Sequence, residues 1–266
     1  MSNHIFINKK IDNFKKKINV ASDKSISIRS ILLASQAVGV SKISNLLESE
    51  DVLNTLKAIK KLGINYKKKS GSYFIEGFGL NNFSIKKRIT INAGNSGTLA
   101  RLILGLLVKS KFRVKLIGDK SLSKRDFSRV IKPLRLFGVN IQSKKNSLPI
   151  EILGTDYLRP ISYNEKIGSA QVKSCIIFCA LHTPGITHIN AKKSRNHTEQ
   201  LLRSLKYPIK VNTKNNIDKI SIKGLGQFKS FNHIIPGDIS SAAFFIVLVV
   251  LSNKSEMIIQ NVNINE

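Results

Sequence analysis

Three short polar clusters stand where apolar helical runs begin. Asp23-Lys24-Ser25 with Arg29 sets a hydroxyl, an ammonium and a guanidinium about one turn apart. Asn95-Ser96-Gly97-Thr98 with Arg101 makes a polar turn whose glycine permits close approach. Ser169-Ala170-Gln171 with Lys173 supplies hydroxyl and amide donors. A helix N-terminus offers free backbone N–H groups and the positive end of its dipole, so anions are favoured there. Taken singly, a serine at a helix start is more often a plain N-cap. Recurring at one place in successive repeats, the clusters point to one composite site for a multiply anionic small molecule. Gly118-Asp-Lys-Ser-Leu-Ser-Lys124-Arg125 adds a basic loop, in which Lys120 reads as solvated, and Ser194-Arg195-Asn196-His197 occupies the equivalent loop of the next repeat.

Competing chemistry is poorly represented. There is no HExxH, no pair of CxxC motifs and no GxSxG. The turn Asn92-Ala-Gly-Asn-Ser-Gly-Thr98 lacks the Gly-Lys-Ser/Thr ending that nucleotide and Mg²⁺ require. Cys175 and Cys179 sit four apart in an apolar run, so they share a helix face and read as core rather than as metal ligands. His4, His182, His188 and His233 show no sequence partner and read as surface or satisfied residues. No metal and no cofactor is expected.

The elements that position these clusters repeat. The apolar runs starting at Ser25, Ser96, Ser169 and Ser240 are separated by 71, 73 and 71 residues. A short strand follows each of the first three, over 42–47, 112–117 and 186–190. Amphipathic helices follow over 51–62, 128–137 and 198–206, with Gly63 and Gly138 at the expected C-caps and Tyr207-Pro208 as the third stop. Alternating strand pairs close each unit, over 64–68 with 72–76, 139–143 with 149–153 and 209–212 with 219–222. Gly77, Gly154 and Gly224 end the second strand of each pair. An extended segment precedes the first helix, as in Ile89-Thr-Ile-Asn92. The unit is therefore βαβαββ, three times over, in an α/β (α+β) fold. A fourth unit begins near Ile234 and has one helix and one strand by Glu266. A half-unit cannot bury its own apolar faces, so the chain is expected to be incomplete or its last segment to pack on something else.

The 266 residues carry 44 Lys+Arg against 16 Asp+Glu, a formal charge of +28, which raises nucleic acid as a partner. Against that, 34 of the basic residues are Lys and only 10 are Arg, aromatics are 7% and Trp is absent. Base edges and phosphate forks favour Arg, and single strands favour aromatic stacking. The longest apolar run, 242–251, is too short to span a bilayer, and residues 1–10 hold no apolar signal core. A soluble cytoplasmic protein with no membrane contact is expected.

In order and spacing, six motifs resemble those of the 5-enolpyruvylshikimate-3-phosphate synthases, the 3-phosphoshikimate 1-carboxyvinyltransferases. They are Asp23-Lys-Ser-Ile-Ser-Ile-Arg29, Gly94-Asn-Ser-Gly-Thr98 with Arg101, Gly118 to Arg125, Ser169-Ala-Gln-Val-Lys173, Ser194-Arg-Asn-His-Thr-Glu199 and Pro236-Gly-Asp-Ile-Ser-Ser-Ala-Ala243. The resemblance implies two similar domains of three βαβαββ units each, with ligands in the cleft between them. Residues 20–231 would then form one complete enolpyruvyl-transferase domain. Residues 1–19 and 233–266 would be parts of a second domain, most of it missing from this chain.

The resemblance also assigns residues. Lys24 would contact both substrates and serve in proton transfer. Ser25 and Arg29 would hold the shikimate ring substituents and carboxylate. Ser169, Gln171 and Ser194 would hold the 3-phosphate of shikimate 3-phosphate. Asn95, Gly97 and Arg125, with Lys24 and Gln171, would frame phosphoenolpyruvate. The acidic acid–base residues would come from the missing domain, which is needed to complete the site, and the complete enzyme would be a monomer. Gly97 and Thr98 match the glyphosate-sensitive type. Three positions depart from the family pattern: Ile28 stands for His, and Asp126 and Ile239 stand for Pro. Asp126 sets an anion beside Arg125. The alternatives are the related UDP-N-acetylglucosamine carboxyvinyltransferases, and a basic nucleic-acid-binding module.

Overall fold

The computed structural model describes residues 10–265. His4 and the rest of the N-terminal stretch up to position 9 lie outside the described residues.

Strand β1 (Lys15–Asn19) leads into the first unit, which holds α1 (Lys24–Ala34), β2 (Val38–Ser44), α2 (Glu50–Lys61), β3 (Tyr66–Lys69) and β4 (Ser72–Phe78). The second unit has β5 (Ile89–Asn92), α3 (Gly97–Leu106), β6 (Val114–Ile117), the short α4 (Lys120–Ser123), α5 (Ser128–Leu136), β7 (Asn140–Ser143) and β8 (Ile150–Leu153). The third has β9 (Ser162–Glu165), α6 (Ala170–Leu181), β10 (Ile186–Lys192), α7 (His197–Ser204), β11 (Ile209–Lys214) and β12 (Ile217–Lys223). Then come β13 (Asn232–Ile234), α8 (Ile239–Leu251) and β14 (Glu256–Gln260). The expected second helices lie within two residues of those found. The first middle strand starts earlier than 42–47, at Val38, and ends at Ser44 because Asn45 turns the chain with a φ of 57°.

Among the described residues the strands form three four-stranded sheets of one pattern, β13-β2-β4-β3, β5-β6-β8-β7 and β9-β10-β12-β11. In each, the first pair is parallel and the other two pairs are antiparallel. Units two and three use the strand just before their first helix, as expected. Unit one does not. Its fourth strand is β13, with His233 opposite Ile43, so residues 232–234 cross the expected boundary at 231. Strand β1 instead pairs in parallel with β14, Lys15 opposite Glu256. A parallel edge is open to any extended segment of suitable pattern, so the neighbour in sequence has no monopoly on it.

The first helices are apolar nearly all round, and each becomes a central helix. Ile26 to Ala34 of α1 are all buried, as are Val172 to Leu181 of α6. Cys175 and Cys179 are buried free thiols there, as expected. Helices α3 and α6 pack so closely that a Cβ on Gly105 would overlap the Cys175 carbonyl. The second helices are amphipathic and cover the outside; α2 buries Val52, Leu56 and Ile59 while Lys60 and Lys61 stay in water. The recurring Gly77, Gly154 and Gly224 have one shared cause. At each, the closing strand passes against the turn that follows the unit's first helix, at Ala34 and Ala37, at Lys109 and Ser110, and at Ala180 and Thr183. A side chain at any of the three would collide with that backbone.

Candidate functional site

The N-termini of α1, α3 and α6 are set by side-chain caps. Asp23 accepts from Ile26 N at 2.7 Å, Ser96 from Leu99 N at 3.2 Å and Ser169 from Val172 N at 3.4 Å. Ser25 lies inside the first turn of α1, and Asp23 does the capping. The same holds for Ser240 behind Asp238 in α8. Burial raises the Asp23 carboxyl above the ordinary carboxylate value, although its bond from Ile26 opposes this.

A cavity of about 310 Å³ lies where these helix starts converge, lined by Lys24, Asp51, Asn95, Gly97, Thr98, Arg125 and Gln171. A second, of about 300 Å³, adjoins it across Arg125 and is lined by Arg101, Arg125, Asp126, Arg129, Ser169 and Val172. The walls therefore carry Lys24, Arg101, Arg125 and Arg129 against Asp51 and Asp126, a cationic surplus. A cavity of about 320 Å³ elsewhere, between Asn81–Ile85 and Leu106–Lys111, has no such convergence of helix starts.

The polar side chains of the first cavity are held in place. Lys24 Nζ lies 2.9 Å from Asp51 Oδ2, which α2 presents from its first turn. Arg125 donates from Nη2 to Asn95 Oδ1 at 3.0 Å. Gly97 allows this approach, since a Cβ there would sit 3.0 Å from Arg125 Nη1. Gln171 spans two units, donating to Thr98 Oγ1 at 3.0 Å and accepting from Arg101 Nη1. Arg101 itself stacks over Phe127, 5.3 Å from the ring centre. Burial and then the neighbouring Arg125 and Arg129 lower its proton affinity.

Of the nine sequence-predicted site residues, the structure brings Lys24, Asn95, Gly97, Arg125 and Gln171 to one cavity and Ser169 to its neighbour. Ser25, Arg29 and Ser194 line neither. Arg29 is 3% exposed and donates to Thr198 Oγ1 at 2.9 Å, Ser174 Oγ at 3.1 Å and the Ser25 carbonyl at 3.1 Å. Burial brings its pKa down to about 10, so it stays charged near neutral pH. The Ser194 hydroxyl is buried and has no partner. Lys173, read as part of an anion-binding cluster, is instead fully buried between Glu199 and Asp218. Asp126 is turned onto the start of α5. Its carboxylate accepts from Ser128 N at 2.9 Å and from Ser128 Oγ at 2.5 Å, and these bonds keep its pKa low. Among the described residues no group of three or more His, Cys, Asp or Glu is arranged to hold a metal.

A sequence profile of the EPSP synthases (3-phosphoshikimate 1-carboxyvinyltransferases) matches residues 8–266. The chain belongs to the EPSP synthase family. The 3-phosphoshikimate 1-carboxyvinyltransferase of Ruthia magnifica is 44% identical over 262 residues, which is 98% of this chain and 59% of that protein. That of Vesicomyosocius okutanii is 43% identical over 249 residues, 93% of this chain and 56% of the relative. An EPSP synthase structure from Acinetobacter baumannii superposes with a TM-score of 0.85 at 38% identity, covering 96% of this chain and 57% of that one. The chain thus spans less than two thirds of the length of these EPSP synthases.

Around this cavity, Asp51 and Arg101 are the residues that sequence reasoning left without a role. Asp51 followed Glu50 at a helix start, where an acid satisfies the helix dipole and needs no further explanation. Arg101 stood in a recognised motif, but its hold on Gln171 joins two units 70 residues apart, and no local pattern shows that.

Proposed function

We propose that the chain supplies the shikimate 3-phosphate side, and part of the phosphoenolpyruvate side, of a carboxyvinyltransferase site. The observation that carries this is the single cavity where Lys24, Asn95, Gly97, Arg125 and Gln171 meet, from three different repeats. In the reaction, the methylene carbon of phosphoenolpyruvate gains a proton and the 5-hydroxyl of shikimate 3-phosphate attacks the adjacent carbon. The hydroxyl gives up its proton as it attacks, and the tetrahedral adduct then loses phosphate and one methyl proton, which restores the C=CH2 group on the new ether. Two phosphates and two carboxylates must be neutralised in a site closed to water.

The roles follow from position. Lys24 stands between the two ligand positions and serves in proton transfer, with Asp51 holding its ammonium. Arg125, oriented by Asn95, takes the phosphoenolpyruvate phosphate beside Gly97. Ser169 has its oxygen in the cap and its O–H available, so it donates to the 3-phosphate. Gln171 is clamped by Arg101 and Thr98 and reaches both ligands. Arg29 uses three of its five N–H donors internally and holds Ser25 against α6 and α7, with two left for the shikimate carboxylate. Ser194 completes the 3-phosphate position on a turn of its side chain.

Catalysis on this reading needs further residues from a second domain, to which 1–19 and about 235–265 belong. The separate β1–β14 sheet supports this. So does α8, where Phe244 is 79% and Val250 76% exposed, an apolar face that the family's remaining length would cover. The reading includes a cytoplasmic location, and a monomer as the complete enzyme. No described helix is long and apolar enough to cross a membrane.

Three or four charge-assisted bonds in an open half-site, less ordering costs, give a Kd on the order of 0.1–1 mM for shikimate 3-phosphate. Isothermal titration checks this, with phosphate release from the two substrates followed in parallel. Binding in that range without turnover is expected. No binding at 10 mM ligand, or phosphate release at a full enzyme's rate, would overturn the reading.

A further inference from the structure

Lys173 stands in the first turn of α6, two residues after Gln171, yet none of its surface meets solvent. Its ammonium lies 2.8 Å from Glu199 Oε1, donates to Asp218 Oδ2 at 2.9 Å and donates to the Ser194 carbonyl at 3.4 Å. Two of its N–H donors make hydrogen bonds, to β12 and to the loop between β10 and α7, while Glu199 on α7 faces it as an ion pair whose carboxylate oxygens have no hydrogen-bond partner. Asp218 is held in turn by Thr213 Oγ1 at 2.7 Å. The next rung repeats the link one residue along. There Arg29 donates to Thr198, Thr198 donates to Ser174 at 2.8 Å, and Ser174 donates to the Ala170 carbonyl at 2.7 Å. Lys173 and Arg29 balance Glu199 and Asp218, so the buried set is neutral as a whole.

A methionine would fill the volume of this lysine, and apolar replacement of a buried ion pair is often neutral or stabilising. Stability alone therefore gives no reason for an ammonium here. Its geometry does, because the Ser194 hydroxyl is buried without a partner and the grip on the Ser194 carbonyl sets how that residue faces. We propose that Lys173 is a positioning residue, whose ammonium fixes the Ser194–Asn196 loop against the first turn of α6 at the spacing the 3-phosphate of shikimate 3-phosphate requires. The inference rests on the proposed function above for the identity of that ligand. It adds a residue that touches no substrate and acts through Ser194, Ser169 and Gln171.

The test compares this chain with the double variant Lys173→Met/Asp218→Asn, which removes the ammonium and leaves Arg29 and Glu199 as a buried pair of opposite charge. Two quantities are read: the Kd for shikimate 3-phosphate by isothermal titration, and amide hydrogen exchange over residues 194–197. The expected result is an unchanged melting temperature, a Kd raised at least tenfold and exchange at least tenfold faster over 194–197. Unchanged affinity in a folded double variant overturns the proposal. If the unsubstituted chain does not bind shikimate 3-phosphate, the functional reading fails by itself. Exchange then decides the positioning, and unchanged protection over 194–197 overturns it. Should the double variant not fold, Asp218→Asn, which keeps the Lys173–Glu199 pair, carries the same two measurements, with a three- to fivefold effect expected.

Discussion

Gly97 has room for a hydrogen and little more, because Arg125 Nη1 would lie 3.0 Å from any Cβ added there. Gly97→Ala is therefore expected to displace the guanidinium by a few tenths of an ångström. Affinity for phosphoenolpyruvate, titrated with shikimate 3-phosphate present, should fall about fivefold, the equivalent of ~1 kcal/mol, with little change in stability. Unaltered affinity would remove Arg125 from the phosphate position. His182 makes the second prediction at this scale. Burial, and then Lys109, bring its pKa down to about 3, while Nδ1 donates to Asn81 Oδ1 at 2.6 Å. The folded state keeps it neutral and the unfolded chain protonates it near 6.5, so acid favours unfolding. Stability should fall as pH drops from about 6.5 toward 3, by about 2 kcal/mol at pH 5 from this residue alone. His197, brought down to about 4, acts in the same sense. Urea melts at pH 7 and pH 5 check this, and His182→Asn should flatten the difference. Sequence showed the residue types at the site well, but their partners poorly. Lys24 was legible because it stood in a motif. Asp51 was not, since its second function depends on a helix packed beside it.

At the scale of elements, the repeat was visible because its punctuation is chemical. Polar caps open each first helix, and a glycine marks each crossing of the closing strand over the turn behind that helix. What stayed hidden was the partner of each open edge. Strand β13 supplies the first sheet from about 190 residues further along, and nothing local in Asn232–Ile234 names β2 as its neighbour. Lys173 was misread for a related reason, since a lysine beside polar donors at a helix start looks like an anion ligand until two other elements bring carboxylates to it. The contact of α3 with α6 gives an element-scale test. Gly105→Ala forces a methyl onto the Cys175 backbone and should cost about 1–3 kcal/mol in urea unfolding. The helices separate in that variant, so Gln171 should also lose its bond to Thr98 and ligand affinity should fall with stability. A fully stable Gly105→Ala would show that the two helices are not packed as described.

For the whole molecule, two features separate function from background. The +28 charge is mostly exposed lysine, and only Lys24, Arg101, Arg125 and Arg129 line the paired cavities. The apolar face of α8 is the other feature. With Phe244, Val247 and Val250 exposed, this chain should self-associate at high concentration, and Phe244→Asp/Val250→Asp should suppress that in sedimentation velocity without loss of melting temperature. Self-association unchanged by both substitutions would place the sticky surface elsewhere. If three repeats build one anion site, backbone amide shifts on titration with shikimate 3-phosphate report it most directly. Shifts are expected at Ser25, at Asn95 to Thr98 and at Ser169 to Gln171, all following a single Kd. Shifts confined to one unit, or scattered over surface lysines and abolished by modest salt, would contradict it.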